Sequence, residues 1–127
     1  MVSAGVSGEA VDLVIAACST PDTIYPGIAA QVQHAIGAYR AGGFDVSLAC
    51  TGFICSTIVA HQFLKTGMYQ TVLVVAADIH SRYVDWSDRN TCVLFGDGAG
   101  AWVLQGKKGG EENILASELH LDGSKGK

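Results

Sequence analysis

The order of hydrophobic and polar residues predicts five β-strands in this chain. Residues 11–17 (VDLVIAA) and 71–77 (TVLVVAA) are continuous apolar runs rich in β-branched residues, which is typical of strands buried on both faces. Residues 44–49 alternate between apolar and polar side chains, and this alternation predicts a third strand. Residues 99–105 and 114–120 have the composition of two further strands.

Two segments between these strands have the spacing of helices. In residues 28–39 the apolar side chains recur every three or four positions, and Gly42-Gly43 is expected to stop the helix. Residues 52–66 are apolar on most sides and are followed by Gly67, so a largely buried helix is expected there. Residues 78–88 are polar and are expected to form an irregular surface segment.

Up to residue 105 the order of these elements is strand-helix-strand-helix-strand-strand. This order predicts an α/β fold with a mainly parallel sheet and right-handed crossovers. Residues 106–113 (GKKGGEEN) are expected to form a turn between the last two strands. Two helices do not cover both faces of such a sheet completely. We therefore expect an apolar face against which a further element packs.

Composition and charge narrow the class of protein. The chain has 127 residues, of which 49% are hydrophobic, and this size favours one folded domain. The net charge is −4 and basic residues cluster only at Lys107-Lys108 and the C-terminus, which argues against nucleic-acid binding. The apolar runs are strand-length and the N-terminus lacks the pattern of a signal peptide, so we expect no membrane segment and a cytoplasmic protein.

The cysteines and aspartates do not predict a metal site. The four cysteines form no C-x-x-C pair, so reduced thiols are expected, and most such cysteines are small buried hydrophobic residues. Asp85, Asp88 and Asp97 lack His or Cys partners at ligand spacing, which favours solvated or capping roles. Residues 96–101 (GDGAGA) precede a strand instead of linking a strand to a helix, which excludes a dinucleotide loop.

Cys50 is the strongest candidate for chemistry. It lies where a predicted strand ends and a predicted helix begins, and the positive end of a helix dipole favours a thiolate, which is the nucleophilic form. Gly52 permits close backbone approach at this turn. From position alone, a nucleophile and a simply packed cysteine are both open interpretations.

Four ordered motifs carry a resemblance to a known family. FDVSLACTGF around Cys50 is accompanied, in order, by STPDTIYP, VDWSDRNTCVLFGDGAGA and LDGS. Together they resemble the ketoacyl-ACP synthase III family. The resemblance implies a thiolase-like fold with αβαβα layers, of which residues 1–127 would form part of the N-terminal domain. It also implies that Cys50 is the acylated nucleophile and that the glycine-rich turn packs closely beneath the active site.

The resemblance assigns substrate-binding roles to four other residues. Tyr25 would reach across a homodimer to close the partner's acyl pocket, Arg89 would meet the adenine end of coenzyme A, and Phe95 would line the pocket. His80 occupies a pocket position that is commonly leucine in the family. A polar ring there is expected to change acyl selectivity, whereas the other three histidines are expected to be surface or satisfied core residues.

The implied reaction is condensation of acyl-CoA with malonyl-ACP to 3-oxoacyl-ACP with loss of CO₂, through an acyl-cysteine. Phosphopantetheine would arrive on the substrates, so no resident cofactor and no metal are expected. The histidine and asparagine that complete the family's site have no counterpart motif in this chain, and these residues alone are expected to be inactive. The family's first strand, also without a counterpart, would lie between the strands predicted at 11–17 and 71–77.

Three alternatives stay open at the level of the sequence. One is a sister thiolase-fold enzyme, such as an acyltransferase of secondary metabolism or a hydroxymethylglutaryl-CoA synthase. Another is a non-catalytic dimerisation or scaffold subunit. A general cysteine hydrolase is the weakest, because no local histidine motif supports it.

Overall fold

The protein contains a four-stranded sheet with one helix on each face. The structure, a computed structural model, describes residues 1–107, 109–110 and 113–124. The strands are β1 (Leu13–Ala17), β2 (Gly42–Val46), β3 (Thr71–Ile79) and β4 (Asp97–Gln105), and the helices are α1 (Ile28–Ala35) and α2 (Gly52–Lys65).

The sheet has the strand order β2-β1-β3-β4. β1 pairs in parallel with both β2 and β3, and β4 runs antiparallel to β3. All five residues of β1 are buried, as expected for a central strand covered on both faces. The sequence prediction of a mainly parallel α/β sheet is therefore confirmed.

Alternation along the strands sorts the core into two layers. Val14, Ala16 and Leu73 face α1 and pack with Ala29. The opposite face packs against α2. The buried residues of this second layer are Leu13, Ile15, Val72 and Val74 of the sheet and Ala60 of α2.

α2 is less buried than its composition suggested. It contacts the sheet through small residues, with Gly52, Ser56, Thr57 and Ala60 buried, while Ile54 is 61% exposed. Small side chains on one face bring the helix axis close to the sheet, and Phe53, Val59, Phe63 and Leu64 pack against the same core with partial burial. The expectation of a largely buried helix is confirmed in part, because most of its residues are buried or half-buried and Ile54, Gln62 and Lys65 are exposed.

α1 ends four residues earlier than predicted. Ile36 is its C-terminal cap, and Gly37 adopts a left-handed conformation with φ of 72°, which commonly terminates helices. Gly42 and Gly43 do not stop the helix, because they begin β2. A Cβ on Gly43 would lie 2.9 Å from the Val14 carbonyl oxygen and 3.3 Å from Ala29 Cβ, so glycine here allows α1 to approach the sheet.

The predicted strands at 44–49 and 114–120 also require correction. β2 ends at Val46, and residues 49–51 form a 3₁₀ turn instead. Residues 114–120 form no strand; Leu115 and Leu119 are 89% and 56% exposed. Alternation alone does not make a strand, since an extended segment needs a paired backbone.

No gap separates the two central strands. Five residues of β1, from Leu13 to Ala17, are in register with residues 72–76 of β3, so the two strands pair directly in this chain. That the family's first strand would lie between them in a longer protein stays an expectation. We expected an apolar surface that a further element would cover. In the structure the uncovered part of the sheet is β4, which is exposed along most of its length. Trp102 on that strand is 46% exposed.

The start of α1 is capped from a neighbouring strand. The backbone N–H groups of Ile28 and Ala29 donate to the two carboxylate oxygens of Asp45 in β2, both at 2.7 Å. Gly27 is the N-cap residue and makes no side-chain cap bond. A Cβ there would lie 2.2 Å from Asp45 Oδ2, so a glycine at this position makes room for the carboxylate.

We expect Asp45→Ala to destabilise the fold by about 1–2 kcal/mol, because it leaves two helix N–H groups without their acceptor. Urea unfolding followed by circular dichroism measures the change. Asp122→Ala is the matched control, since Asp122 accepts hydrogen bonds from Ser124 in an exposed turn and caps no helix. Equal stability of the two variants would show that the cap contributes nothing.

Candidate active site

The candidate residues lie on loops that leave one edge of the sheet. β1 and β2 end together at Ala17 and Val46, while β3 continues three residues beyond that level to Ile79. β4 begins opposite Ile79 at Asp97. Ligands of open α/β sheets bind outside the carboxyl ends of the strands. The loops after β1, β2 and β3 carry, respectively, Tyr25, Cys50, and His80 with Arg89 and Phe95.

Cys50 is exposed at the entrance to α2. It lies in the 3₁₀ turn Ala49–Thr51, directly before the first helical residue, Gly52. The Thr51 hydroxyl donates to the Leu48 carbonyl oxygen at 2.8 Å, which fixes the turn. Cys50 thus lies just before the end of α2 at which the first N–H groups have no acceptor within the helix.

The residue before Cys50 has a strained backbone. Ala49 has φ of 45°, a left-handed conformation that costs a non-glycine residue about 1–3 kcal/mol and is concentrated at functional sites. It is the only non-glycine residue with positive φ in the part of the chain that the structure describes. The turn thus holds Cys50 in a conformation that an unstrained strand-to-helix connection would not give.

Gly52 brings α2 onto the end of β1. It is buried, and a Cβ on it would lie 2.9 Å from Ala17 Cβ. Its backbone is an ordinary helical one with φ of −56°, so the position does not need glycine for backbone freedom. It needs glycine because α2 approaches β1 closely here. The contact between Gly52 and Ala17 therefore determines the position of the neighbouring Cys50 relative to the end of β1.

The other cysteines are less accessible. All four cysteines are free thiols; Cys18, Cys55 and Cys92 are half-buried, while Cys50 is exposed. The expectation that most are small hydrophobic residues in apolar surroundings fits those three only in part, because none is fully buried. Cys50 is the thiol that a large substrate could reach most readily.

An open cleft of about 400 Å³ lies on the α2 face at this edge. On that face the pair Val74–Trp102 is the last large cross-strand pair, and Ala76 then lies opposite Gly100. The Phe53 ring packs on Trp102, with centroids 4.7 Å apart. The cleft is lined by Phe53, Ala76, Ala77, Asp78, His80 and residues 96–100.

The glycine-rich stretch forms the floor of this cleft and is not closely packed. A Cβ on Gly96, Gly98 or Gly100 would meet no heavy atom within 4 Å. The expectation that this turn packs closely beneath the site is therefore wrong within the described residues. Because glycine has no side chain, these positions leave open volume beside the first turn of α2, which follows Cys50.

The structure brings two of the predicted binding residues into contact. The centroids of the His80 and Phe95 rings are 5.3 Å apart, and the angle between the ring planes is 43°. Tyr25 is 87% exposed, and Arg89 is exposed as well. Within the described part of the chain, the side chains of Cys50, Tyr25 and Arg89 share no hydrogen bond or ion pair, so this chain by itself does not join them into one site.

Two residues that the sequence did not identify hold this edge together. The Asp78 carboxylate accepts hydrogen bonds from the Ser19 backbone N–H at 2.7 Å and from the Thr20 hydroxyl at 3.2 Å. The Thr20 hydroxyl accepts in turn from the Ile79 N–H at 2.7 Å. In the sequence, Asp78 directly follows the predicted strand 71–77, which was the available signal for a role at this edge. Its partner Ser19 lies 59 residues away, so the sequence could not identify it.

Asp85 and Asp88, in the loop after β3, and Asp97, the first residue of β4, cap backbone N–H groups of that loop. Asp97 accepts from the Ser81 N–H and hydroxyl, Asp88 from the Asn90 N–H and Thr91 hydroxyl, and Asp85 from Ser87. These hydrogen bonds lower the pKa of all three carboxyl groups, with the serine or threonine hydroxyl as the largest cause. The predicted capping roles are confirmed.

This arrangement predicts acid sensitivity of the loop. Because the folded-state pKa values of Asp85, Asp88 and Asp97 are lowered, their stabilisation is present above the unfolded pKa of about 3.9 and is lost as the pH falls through the lower folded values. We expect faster pepsin cleavage within residues 80–96 at pH 2.5 than at pH 4.5, relative to a standard peptide. In Asp97→Asn this difference should shrink; an unchanged difference would contradict a role for Asp97.

Two further features are absent from the part of the chain that the structure describes. No group of three or more His, Cys, Asp or Glu side chains is placed to hold a metal ion. None of the helices there is both long and apolar enough to cross a membrane.

Solved structures define the class to which this fold and site correspond. The chain superposes on 3-oxoacyl-(acyl carrier protein) synthase III from Pseudomonas aeruginosa PAO1 with a TM-score of 0.82 and 39% identity, over 91% of this chain and 36% of that one. It superposes on the priming β-ketosynthase of the R1128 polyketide pathway with a TM-score of 0.78 and 38% identity, over 81% of this chain and 31% of that one. The fold of the chain is thus that of thiolase-fold condensing enzymes.

The chain belongs to the 3-oxoacyl-[acyl-carrier-protein (ACP)] synthase III family, whose profile matches residues 44–123. It is 54% identical to β-ketoacyl-[acyl-carrier-protein] synthase III of Synechocystis over 98% of its own length. That match covers 37% of the relative, so the chain spans little more than a third of the protein that it resembles.

Proposed function

We propose that the full-length protein carries an acyl group on Cys50 and condenses it with malonyl-ACP to start fatty-acid synthesis. The observation that supports this most directly is the exposed cysteine in a strained turn at the start of α2. Family membership supplies the reaction class.

The first half of the proposed reaction transfers the acyl group. The Cys50 thiolate attacks the thioester carbonyl of acyl-CoA, a bond forms between sulfur and the acyl carbon, and coenzyme A leaves as its thiolate. The N–H groups at the start of α2, which begins two residues after Cys50, would stabilise this thiolate. Arg89, exposed on the loop after β3, would bind the adenine end of coenzyme A.

The second half forms the carbon–carbon bond. Malonyl-ACP loses CO₂, and the carbanion that remains attacks the acyl carbon on Cys50, which releases 3-oxoacyl-ACP and restores the thiolate. Among the residues that the structure describes, no histidine–asparagine pair lies beside Cys50 for this step, so we assign it to the full-length protein alone. No resident cofactor or metal is required, because phosphopantetheine arrives on both substrates.

The proposal includes a cytoplasmic homodimer. Tyr25 is 87% exposed on the loop after β1, where it would reach the acyl pocket of the partner. Arg82 on the loop after β3 forms an ion pair with Asp22 of the same loop as Tyr25, and this pair would hold the tyrosine in place.

Mass spectrometry of the full-length protein after incubation with acyl-CoA tests the proposal. We expect a mass increase equal to the acyl group, located on the peptide that contains Cys50. Absence of an adduct would favour a scaffold subunit with an unreactive thiol. An adduct without release of 3-oxoacyl-ACP upon addition of malonyl-ACP would favour a related acyltransferase, such as one of polyketide synthesis, with another acceptor.

A further inference from the structure

The exposed tip of the loop after β1, residues 24–25, is held on both sides by one side chain of α1. The Gln31 side-chain amide donates a hydrogen bond to the Pro26 carbonyl oxygen at 2.9 Å. The same nitrogen lies 3.4 Å from the Thr23 hydroxyl oxygen, and that hydroxyl donates to the Pro26 carbonyl oxygen at 3.3 Å. Gln31 therefore joins the residue before the tip to the residue after it.

The stretch of the same loop between β1 and the tip is held by side chains of β3 and of the loop that follows β3. Asp78 accepts a hydrogen bond from the Ser19 N–H at 2.7 Å, and Arg82 forms an ion pair with Asp22. Both contacts lie before the tip, so neither determines where the chain goes after it. Among the described side chains, Gln31 is thus the one that connects the two sides of the tip.

The tip itself consists of two large side chains that the chain leaves in solvent. Ile24 is 79% exposed and Tyr25 is 87% exposed. A side chain that is held in advance loses less conformational freedom when it binds, and tyrosine is enriched among the residues that dominate the energy of protein interfaces. A fastened and projecting apolar tip of this kind is suited to insertion into a second molecule.

We propose that Gln31 is a positioning residue that acts in trans: it holds Tyr25 in the place from which Tyr25 closes the acyl pocket of the partner subunit. This inference rests on the proposed function, because the homodimer and the role of Tyr25 belong to that proposal. Acylation of Cys50 then depends on a hydrogen bond made entirely within the other subunit. Gln31 touches neither the substrate nor Cys50 in this arrangement, so its effect passes through the loop.

The first test compares homodimers of the full-length protein. Acylation of Cys50 by acetyl-CoA is followed by mass spectrometry at several acetyl-CoA concentrations. Gln31→Glu keeps the shape of the side chain but removes its donor atoms, and a carboxylate near the start of α1 is compatible with the helix dipole. We expect the half-saturating concentration to rise about fivefold at a nearly unchanged saturating rate, since a loose tyrosine has to be ordered at each binding event.

Two further variants separate positioning from stability. Gln31→Lys keeps a donor that can reach the Pro26 carbonyl oxygen, so it should bring the half-saturating concentration back towards the wild-type value. Gln33→Glu is the matched control, because the Gln33 amide donates to the Ala38 carbonyl oxygen at 2.7 Å at the other end of the same helix. This control loses a hydrogen bond of the same kind and should leave the half-saturating concentration unchanged.

Mixed dimers show which subunit the residue serves. Two copies with different affinity tags are produced together and purified over both tags, and one copy carries Cys50→Ala so that only the other is acylated. Gln31→Glu in the Cys50→Ala copy should give the whole increase in half-saturating concentration. In the copy that keeps Cys50 it should give none, because the Tyr25 of that copy faces the inactive pocket.

Each contrary result has a distinct meaning. Normal acylation with an unchanged half-saturating concentration in Gln31→Glu would overturn the inference and leave the proposed function intact. An equal increase in Gln33→Glu, or an increase that follows the acylated copy, would assign the effect to folding of α1 within one subunit and would also overturn it. A monomeric wild-type protein would do the same. Absence of an acyl adduct from the wild-type protein would remove the proposed function, and this inference with it.

Discussion

Replacement of Cys50 by alanine is expected to abolish acylation of the full-length protein by acyl-CoA. Cys50 is the exposed thiol among four, and alanine removes the sulfur without enlarging the turn. Loss of a covalent nucleophile lowers rates on the order of 10⁴- to 10⁶-fold, so no adduct should be detected on the time scale on which the wild-type protein is fully acylated. The measurement is intact-protein mass spectrometry over time.

The remaining cysteines provide matched controls. Cys55 lies on α2 one helical turn beyond the turn that holds Cys50, and Cys92 lies on the loop after β3; both are half-buried. Cys55→Ala and Cys92→Ala should keep the adduct. Iodoacetamide should alkylate Cys50 faster than either of them, and an acyl group found on Cys55 or Cys92 instead would refute the assignment.

Substitution of Gly52 by valine is expected to produce the second-largest effect, on stability and acylation together. The added Cβ would lie 2.9 Å from Ala17 Cβ, a separation that carbon atoms in contact do not adopt, so α2 must move away from β1. Overpacking of this kind costs about 1–3 kcal/mol. Because Cys50 is attached to the start of α2, the same movement shifts the sulfur.

Urea unfolding measures the first effect, and the rate of adduct formation under conditions where the variant is still folded measures the second. Gly123→Ala is the control, since a Cβ there meets no atom within 4 Å and its backbone is not left-handed. If Gly52→Val folded with wild-type stability and acylated at the wild-type rate, close contact between α2 and β1 would not position the nucleophile.

The two substitutions separate chemistry from placement. Cys50→Ala removes the reacting atom and should leave unfolding almost unchanged, because the side chain is exposed. Gly52→Val leaves the thiol in the sequence but changes where it lies. A stability loss confined to Gly52→Val and a rate loss in both would support the two roles independently.

The buried strands and both helix starts were predictable from sequence because their signals are local. β1 and β3 are continuous β-branched apolar runs, and α1 and α2 begin at the predicted residues, Ile28 and Gly52. The errors lie where local signals conflict. Gly37, not Gly42-Gly43, ends α1, since either glycine position is compatible with the apolar spacing.

The sequence alone thus determined the order of elements, the family resemblance and the position of Cys50 between a strand and a helix, since each depends on residues close together in the chain. Tertiary structure decided the rest. The Asp45 cap on α1, the Asp78 bond to Ser19, the approach of Gly52 to Ala17 and the cleft beside His80 all join residues far apart in sequence. Such contacts exist only once the sheet has aligned its strands, because register, not local spacing, determines which side chains meet.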